Sequence, residues 1–280
     1  MEMFRQIMLT AAVLGCVALA LPAQDICFAP KDSHEANTFA ILSVPVTFSR
    51  AAAPGPAHGI SIGLEAASLP TVDRADATPT SCRPDKGPEN TNPIPGIIRP
   101  RIAIAWRELV FEASWIPPVR VDQVKANLVG LAIEHSHPLG RGWYLGLRAD
   151  AVLGSLHAPV TCPDAALADP SSECFGGTRS DDRWQPGTFG GEAVVGAGRA
   201  RIHPYGGVGY TWLRPRFQVD FTNARDSTDH RQIEVNLERV AVFGGVTWEL
   251  GSSSITGEAY ATPEDAVSAR IVLRTRLGRE

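Results

Sequence analysis

Arg101-Ile102-Ala103-Ile104-Ala105-Trp106-Arg107-Glu108-Leu109-Val110-Phe111-Glu112-Ala113-Ser114-Trp115-Ile116 alternates large apolar residues with small and charged ones on both sides of a short break. Ile102, Ile104 and Trp106 alternate with Arg101, Ala103, Ala105 and Arg107. After a tight turn, Leu109, Phe111, Ala113 and Trp115 alternate with Val110, Glu112 and Ser114. A period of two places one set on each face of a strand. Large apolar residues on one face, charges on the other and tryptophan at the strand ends form the pattern of a transmembrane β-barrel.

The same pattern extends outward from this hairpin. Ten strands are expected, within a range of eight to twelve, at about 59–68, 99–107, 109–117, 124–135, 142–157, 187–199, 203–221, 232–249, 253–262 and 266–277. In 142–157 the odd-numbered residues Trp143 to Leu153 face lipid, and Tyr144, Gly146, Arg148, Asp150, Val152 and Gly154 face inward. In the last strand Val267, Ala269, Ile271 and Leu273 face outward, against Ser268, Arg270, Val272 and Arg274. Alternation slips at Arg214-Pro215 and Glu238-Arg239, where a bulge or the membrane boundary is expected, because proline cannot donate to a ladder.

Short connections alternate with long ones, the longest being 69–98 and 158–186, with a polar segment at 222–231. Such barrels have short periplasmic turns and longer outer loops. Ten strands put both long loops on one side and both chain ends on the other. Trp106, Trp143 and Trp248 then fall at periplasmic strand ends and Trp115 at an outer end, as interfacial girdles require.

Composition sets the class. The chain has 280 residues, a formal charge of −4 and a mean hydropathy of −0.04. There is no basic excess to bind nucleic acid, and beyond the N-terminus no apolar run reaches the ~20 residues of a spanning helix. Residues 1–23 carry Arg5, an apolar stretch from Ile7 to Leu21 and small-residue cleavage sites, the pattern of a secretory signal. A single membrane anchor and lipoprotein processing at Cys16 are the other readings. Residues 24–58 form an N-terminal extension, an extra strand or a plug. Phe39 to Phe48 is apolar enough for a strand but contains Pro45, and 51–58 reads as a linker. The barrel domain is 59–280.

With Cys16 removed, Cys27, Cys82, Cys162 and Cys174 remain, an even count that suggests disulfides in an exported chain. Locality favours Cys162 with Cys174, leaving Cys27 with Cys82. The inward charges are Arg101, Arg107, Glu112, Glu134, Arg148, Asp150, Glu192, Glu258, Arg270 and Arg274. Both signs are present, so either a salt-bridge network fills a narrow lumen or a gated path for solute runs through it; about ten strands lies near the filled end of the barrel range.

Catalytic motifs are thin. His135-Ser136-His137 puts two imidazoles on one face, at an expected turn over His135 to Arg141, where a metal or a base could be supplied or the residues are simply solvated. Gly206-Gly207-Val208-Gly209 lies within a strand and is not a phosphate loop. The acidic groups Asp164, Asp169, Asp181 and Asp182, and Asp220, Asp226 and Asp229, are oxygen-rich like calcium loops but interspersed with arginine and without EF-hand spacing. No cofactor is implied.

The signal, alternating strands, aromatic ends and long alternate loops over roughly 59–277 resemble the small outer-membrane β-barrel proteins of Gram-negative-type bacteria, OmpA-like in the broad architectural sense. The resemblance implies outer-membrane lipid and the barrel-assembly machinery as partners, an outer ligand of unspecified kind, and a non-enzymatic role in envelope structure, surface contact or porin-like limited solute passage. The chain departs from the pattern at its end, Arg276-Leu277-Gly278-Arg279-Glu280, where an aromatic residue is usual. Two alternatives stand beside it. An outer-membrane hydrolase would need a Ser or Asp and a His converging at one rim. A soluble exported barrel binding an apolar ligand would need its apolar face inside.

Overall fold

A computed structural model describes residues 25–106, 108–198 and 201–277. Ten antiparallel strands form a closed meander: β1 (Gly59–Ser68), β2 (Gly96–Trp106), β3 (Leu109–Ile116), β4 (Val124–Gly140), β5 (Trp143–Ala158), β6 (Thr188–Ala197), β7 (Ile202–Leu213), β8 (Leu237–Leu250), β9 (Ser253–Thr262) and β10 (Ala266–Leu277). Each pairs with the next in sequence, and β10 pairs with β1 from Leu277↔Ile60 to Arg270↔Ala67, which closes the barrel. Closure leaves no unpaired barrel edge, the condition for crossing lipid with strands.

The alternation sorts the side chains as the sequence pattern requires. Every barrel strand exposes a large apolar residue: Leu64, Ile102, Phe111, Leu131 and Leu147 on β1 to β5, then Val195, Val208, Val242, Ile255 and Ile271 on β6 to β10. Between them, Arg101, Glu112, Arg148, Glu192, Glu258 and Arg270 are buried inside. Trp106, Trp143 and Trp248 lie exposed at the short-turn end, and Trp115 and Trp212 at the other. An apolar belt around the whole barrel far exceeds the few hundred Å² patches that water-soluble monomers expose.

Two sequence expectations are corrected here. The strand β4 runs through His135 and His137 to Gly140, with a register shift between Pro138 and Gly140, so the turn is confined to 140–143, where Gly140, Arg141 and Gly142 all take positive φ. The break at Arg214-Pro215 ends β7, and Arg216–Gln218 then pairs with Asp182–Gln185 and Gln232–Glu234 in an extension of the wall beyond the barrel. The break on the facing strand falls at 235–236, before Glu238-Arg239.

Of the readings of 24–58, the plug fits and the extra strand does not. Phe39 to Phe48 does not form a strand: α1 (His34–Val46) takes most of it, started by the Ser33 hydroxyl, which accepts from the Ala36 N–H at 3.2 Å. Pro45 sits in the last turn, and the chain is extended from Thr47. The helix is apolar nearly all round, which removes any amphipathic period from the sequence. Such a helix must be buried on all sides, and here the barrel and its cap bury it: Ala36, Phe39, Ala40, Ile41, Val44 and Val46 are all buried.

The extension thus threads the lumen. Ile26–Phe28 pairs in parallel with Gln232–Glu234 at the long-loop end, α1 descends inside the wall, and residues 47–58 reach Gly59 at the short-turn end. The barrel's own ends lie together at the short-turn end, but the first described residues lie at the opposite one, contrary to the expectation that both chain ends share a side. Disulfides join Cys27 to Cys82 and Cys162 to Cys174, with Cα separations of 5.8 and 5.6 Å. The first ties the head of the threaded segment to the loop between β1 and β2.

Candidate functional site

The lumen is where the charges meet. Six arginines (Arg50, Arg99, Arg101, Arg148, Arg270 and Arg274) face six carboxylates (Glu65, Glu112, Glu134, Asp150, Glu192 and Glu258), so their formal charges cancel. Glu65 binds Arg99 at 2.6 Å and Arg101 at 2.5 Å. Glu112 binds Arg101 at 3.0 Å, Arg148 at 2.5 Å and Arg274 at 2.7 Å. Arg50 pairs with Glu134, and the Tyr205 hydroxyl donates to Glu258 at 2.9 Å. Arg148 lies 3.6 Å from Glu192, and neither carboxylate oxygen of Glu192 nor Oδ1 of Asp150 has a hydrogen-bond partner among the described residues.

The arginines do more than neutralise the wall acids. The last turn of α1 and the extended segment after it have carbonyls that neither helix nor ladder satisfies, and an unsatisfied buried acceptor costs ~1–3 kcal/mol. The wall guanidiniums take them up. Arg99 donates to the Val46 and Thr47 carbonyls at 3.0 and 2.9 Å, Arg148 to Phe48 at 3.0 Å, Arg101 to Ser49 and Arg50 at 2.9 and 3.2 Å, and Arg270 to Val44 at 2.7 Å. Only arginine has enough fixed donors to hold a carboxylate and a carbonyl together.

Phe48 sits at the centre, fully buried. Three guanidiniums lie over its ring, at 4.4 Å (Arg101), 4.9 Å (Arg148) and 5.1 Å (Arg99) from the centroid. The wall is thinned to admit the segment. A Cβ on Gly130 would come within 3.0 Å of Phe48, and one on Gly196 within 2.5 Å of Pro54. Gly207, from the glycine run in β7, is small for packing within the wall, since its Cβ would meet the Ala193 carbonyl oxygen at 2.5 Å and the Phe243 ring at 2.6 Å.

Of the sequence-derived inward charges, Arg101, Glu112, Glu134, Arg148, Asp150, Glu192, Glu258, Arg270 and Arg274 point into this network; Arg107 lies outside the described residues. Sequence reasoning missed Glu65, Arg99 and Arg50. Glu65 shares parity with Ser61 and Gly63, and Arg99 with Arg101, so the alternation carried forward would have found both. Nothing in the aperiodic extension marks Arg50.

At the long-loop end the loops make a braced cap. Arg83, its side chain fully buried, binds Glu89 at 2.5 Å and also Glu173, which Lys86 joins. Glu35, in the first turn of α1, accepts from the N–H groups of Ser81 and Cys82 at 2.9 Å and of Thr80 at 3.2 Å. Burial alone would raise its carboxyl, but these backbone donors outweigh burial and hold it below the usual glutamate range. Asp182 is pushed up by burial despite the N–H groups of Thr161 and Asp220.

The other sequence candidates are dispersed. His135 is on the outer face 3.9 Å from Glu108, and the Ser136 hydroxyl donates to Glu134. Asp164 lies beside Arg179, Asp220 beside His230, and Asp169 accepts from Ser171. Among the described residues no three His, Cys, Asp or Glu side chains group to hold a metal.

No family model and no curated protein matches the chain. Among solved structures it is similar to the attachment invasion locus protein of Yersinia pestis (9% identity, TM-score 0.31, 79% of this chain and 98% of that one). It is similar also to the toluene transporter TodX of Pseudomonas putida (8%, TM-score 0.33, 80% and 69%) and to Neisserial surface protein A (10%, TM-score 0.29, 78% and 97%).

Proposed function

We propose that this chain is a non-enzymatic outer-membrane barrel closed by its own N-terminal segment, acting at the envelope surface through its braced cap. The observation that carries the reading is the wall arginines' use of the segment's carbonyls from Val44 to Arg50. That arrangement places a hydrogen-bonded segment across the middle of the lumen, which supports a closed barrel over one that passes solute. The apolar belt supports a lipid setting and disfavours the soluble, inside-out barrel. The export signal at 1–23 belongs to the same proposal and lies outside the described residues.

Fractionation of expressing cells, with unboiled and boiled samples compared on a gel, tests the reading. Recovery in the outer membrane with a heat-modifiable band is expected. Recovery as a soluble periplasmic protein of unchanged mobility would overturn it.

A further inference from the structure

The outer face of the wall carries a charge pattern in which the lumen network has no part. In the ladders Arg120 stands opposite Lys125, Lys125 opposite His157, and His157 opposite Arg183. Residues in register share a face, and neighbouring strands lie ~4.8 Å apart. Four basic side chains therefore form one row ~14 Å long, across the turn before β4, then β4, β5 and the wall extension. The row faces outward, because the chain neighbours Val124, Leu156 and Trp184 line the inside against α1. Along β4 the same outer face runs through Ile133, Leu131 and Val129, all exposed, to Asn127 and then Lys125. Trp115, opposite Val129, donates its indole N–H to Asn127 at 3.1 Å, and an aromatic side chain so placed marks the membrane interface. The row thus begins where the apolar belt ends, at a level that long Lys and Arg side chains share with lipid headgroups.

Like charges directly opposite in a ladder are destabilising, and this row is under-neutralised by the protein itself. Asp181 lies 4.0 Å from Arg120 and 3.4 Å from His157. Lys125 and Arg183 have no carboxylate partner among the described residues. Arg120, Lys125, His157 and Asp181 line one open recess of about 210 Å³, with Asn127 and Ser155 on its belt side. Guanidinium and ammonium donors converging beside an amide and a hydroxyl suit a phosphate group. We infer that this row and its recess bind the phosphorylated headgroup of a lipid in the outer leaflet. A lipid fits better than a free anion, because its phosphate meets the row while its chains lie on Val129, Leu131 and Leu153 directly below. The inference rests on the outer-membrane reading above, which sets the row in a lipid layer.

Phosphatidic acid and diacylglycerol with the same acyl chains make the test, because they differ by the phosphate alone. Each is titrated into the folded full chain in a neutral detergent, and bound lipid is counted by native mass spectrometry. Heat modifiability on a gel establishes that each variant has folded. The wild type is expected to bind phosphatidic acid at least ~30-fold more tightly than diacylglycerol, the worth of two basic residues against an anionic lipid. Lys125→Gln/Arg183→Gln should remove most of that preference and leave diacylglycerol unchanged. Arg201→Gln/Arg225→Gln, which takes the same charge from the opposite rim and from the loop at 222–231, should alter neither. A wild type without the preference would overturn the inference, as would equal weakening by the two variant pairs. Displacement of phosphatidic acid by equimolar inorganic phosphate would assign the row to a free anion and overturn it too. Recovery of the wild type as a soluble periplasmic protein would overturn the outer-membrane reading; a heat-modifiable outer-membrane protein that lacks the preference would overturn this inference alone.

Discussion

Phe48→Ala is the most informative perturbation of the plug. Phe48 is wholly inaccessible, with three guanidiniums within 5.1 Å of its ring centroid. Truncating a buried phenylalanine costs ~3–5 kcal/mol from lost transfer energy and the cavity left behind. A desolvated cation over an aromatic face adds up to ~2 kcal/mol. The three contacts are not additive, since the same arginines keep their carboxylate and carbonyl partners. A total of ~4–6 kcal/mol is expected. Phe48→Leu keeps most of the apolar volume and removes the π face, so its cost, ~2 kcal/mol, isolates the ring–cation part. Guanidinium unfolding in lipid vesicles, followed by tryptophan fluorescence, measures both. A Phe48→Leu cost below ~0.5 kcal/mol would refute the ring–cation reasoning, and a Phe48→Ala cost below ~1 kcal/mol would refute the placement of this residue at the centre of the plug.

Three further outcomes follow from the same contacts. Glu112→Gln removes the carboxylate shared by Arg101, Arg148 and Arg274; stranding buried charge costs ~3–5 kcal/mol, read in the same unfolding assay. Glu35 has its carboxyl lowered in the folded cap, so its contribution is present above the unfolded value near 4.5 and is lost as pH falls through the folded one; hydrogen-exchange protection factors of residues 80–82, taken against the intrinsic rate at each pH, should fall in acid in the wild type and stay constant over that window in Glu35→Gln. The Cys27–Cys82 bridge spans 55 residues and Cys162–Cys174 spans 12; on loop-closure entropy, the Cys27→Ser/Cys82→Ser pair should lose about 1 kcal/mol more than the Cys162→Ser/Cys174→Ser pair, as the difference in unfolding midpoints reports.

The wall was legible because its physics is local. A period of two writes lipid-facing Leu147 and lumen-facing Arg148 side by side, and tryptophans such as Trp106 and Trp248 mark where strands reach the interface. The cysteine pairs were legible from locality once the barrel ends were set. The plug was not. A helix buried on every side has no polar face, so Phe39 to Phe48 carries no period of 3.6, and Pro45 in its last turn looks like a strand breaker. Thr47 to Arg50 is held in part through its carbonyls, groups that every residue has, and the Phe48 ring and Arg50 guanidinium find their partners only across the lumen, so the local sequence does not announce the seat. The cap sheet was missed for the opposite reason: Ile26–Phe28, Asp182–Gln185 and Gln232–Glu234 are too short to show alternation and exist only by pairing across distant loops.

If the chain closes its own lumen, planar-bilayer recordings of the purified full-length protein will show no stepwise conductance above baseline for the wild type, and channel openings for a variant lacking residues 25–53. Steady open-channel conductance from the wild type, unchanged by that deletion, would contradict it.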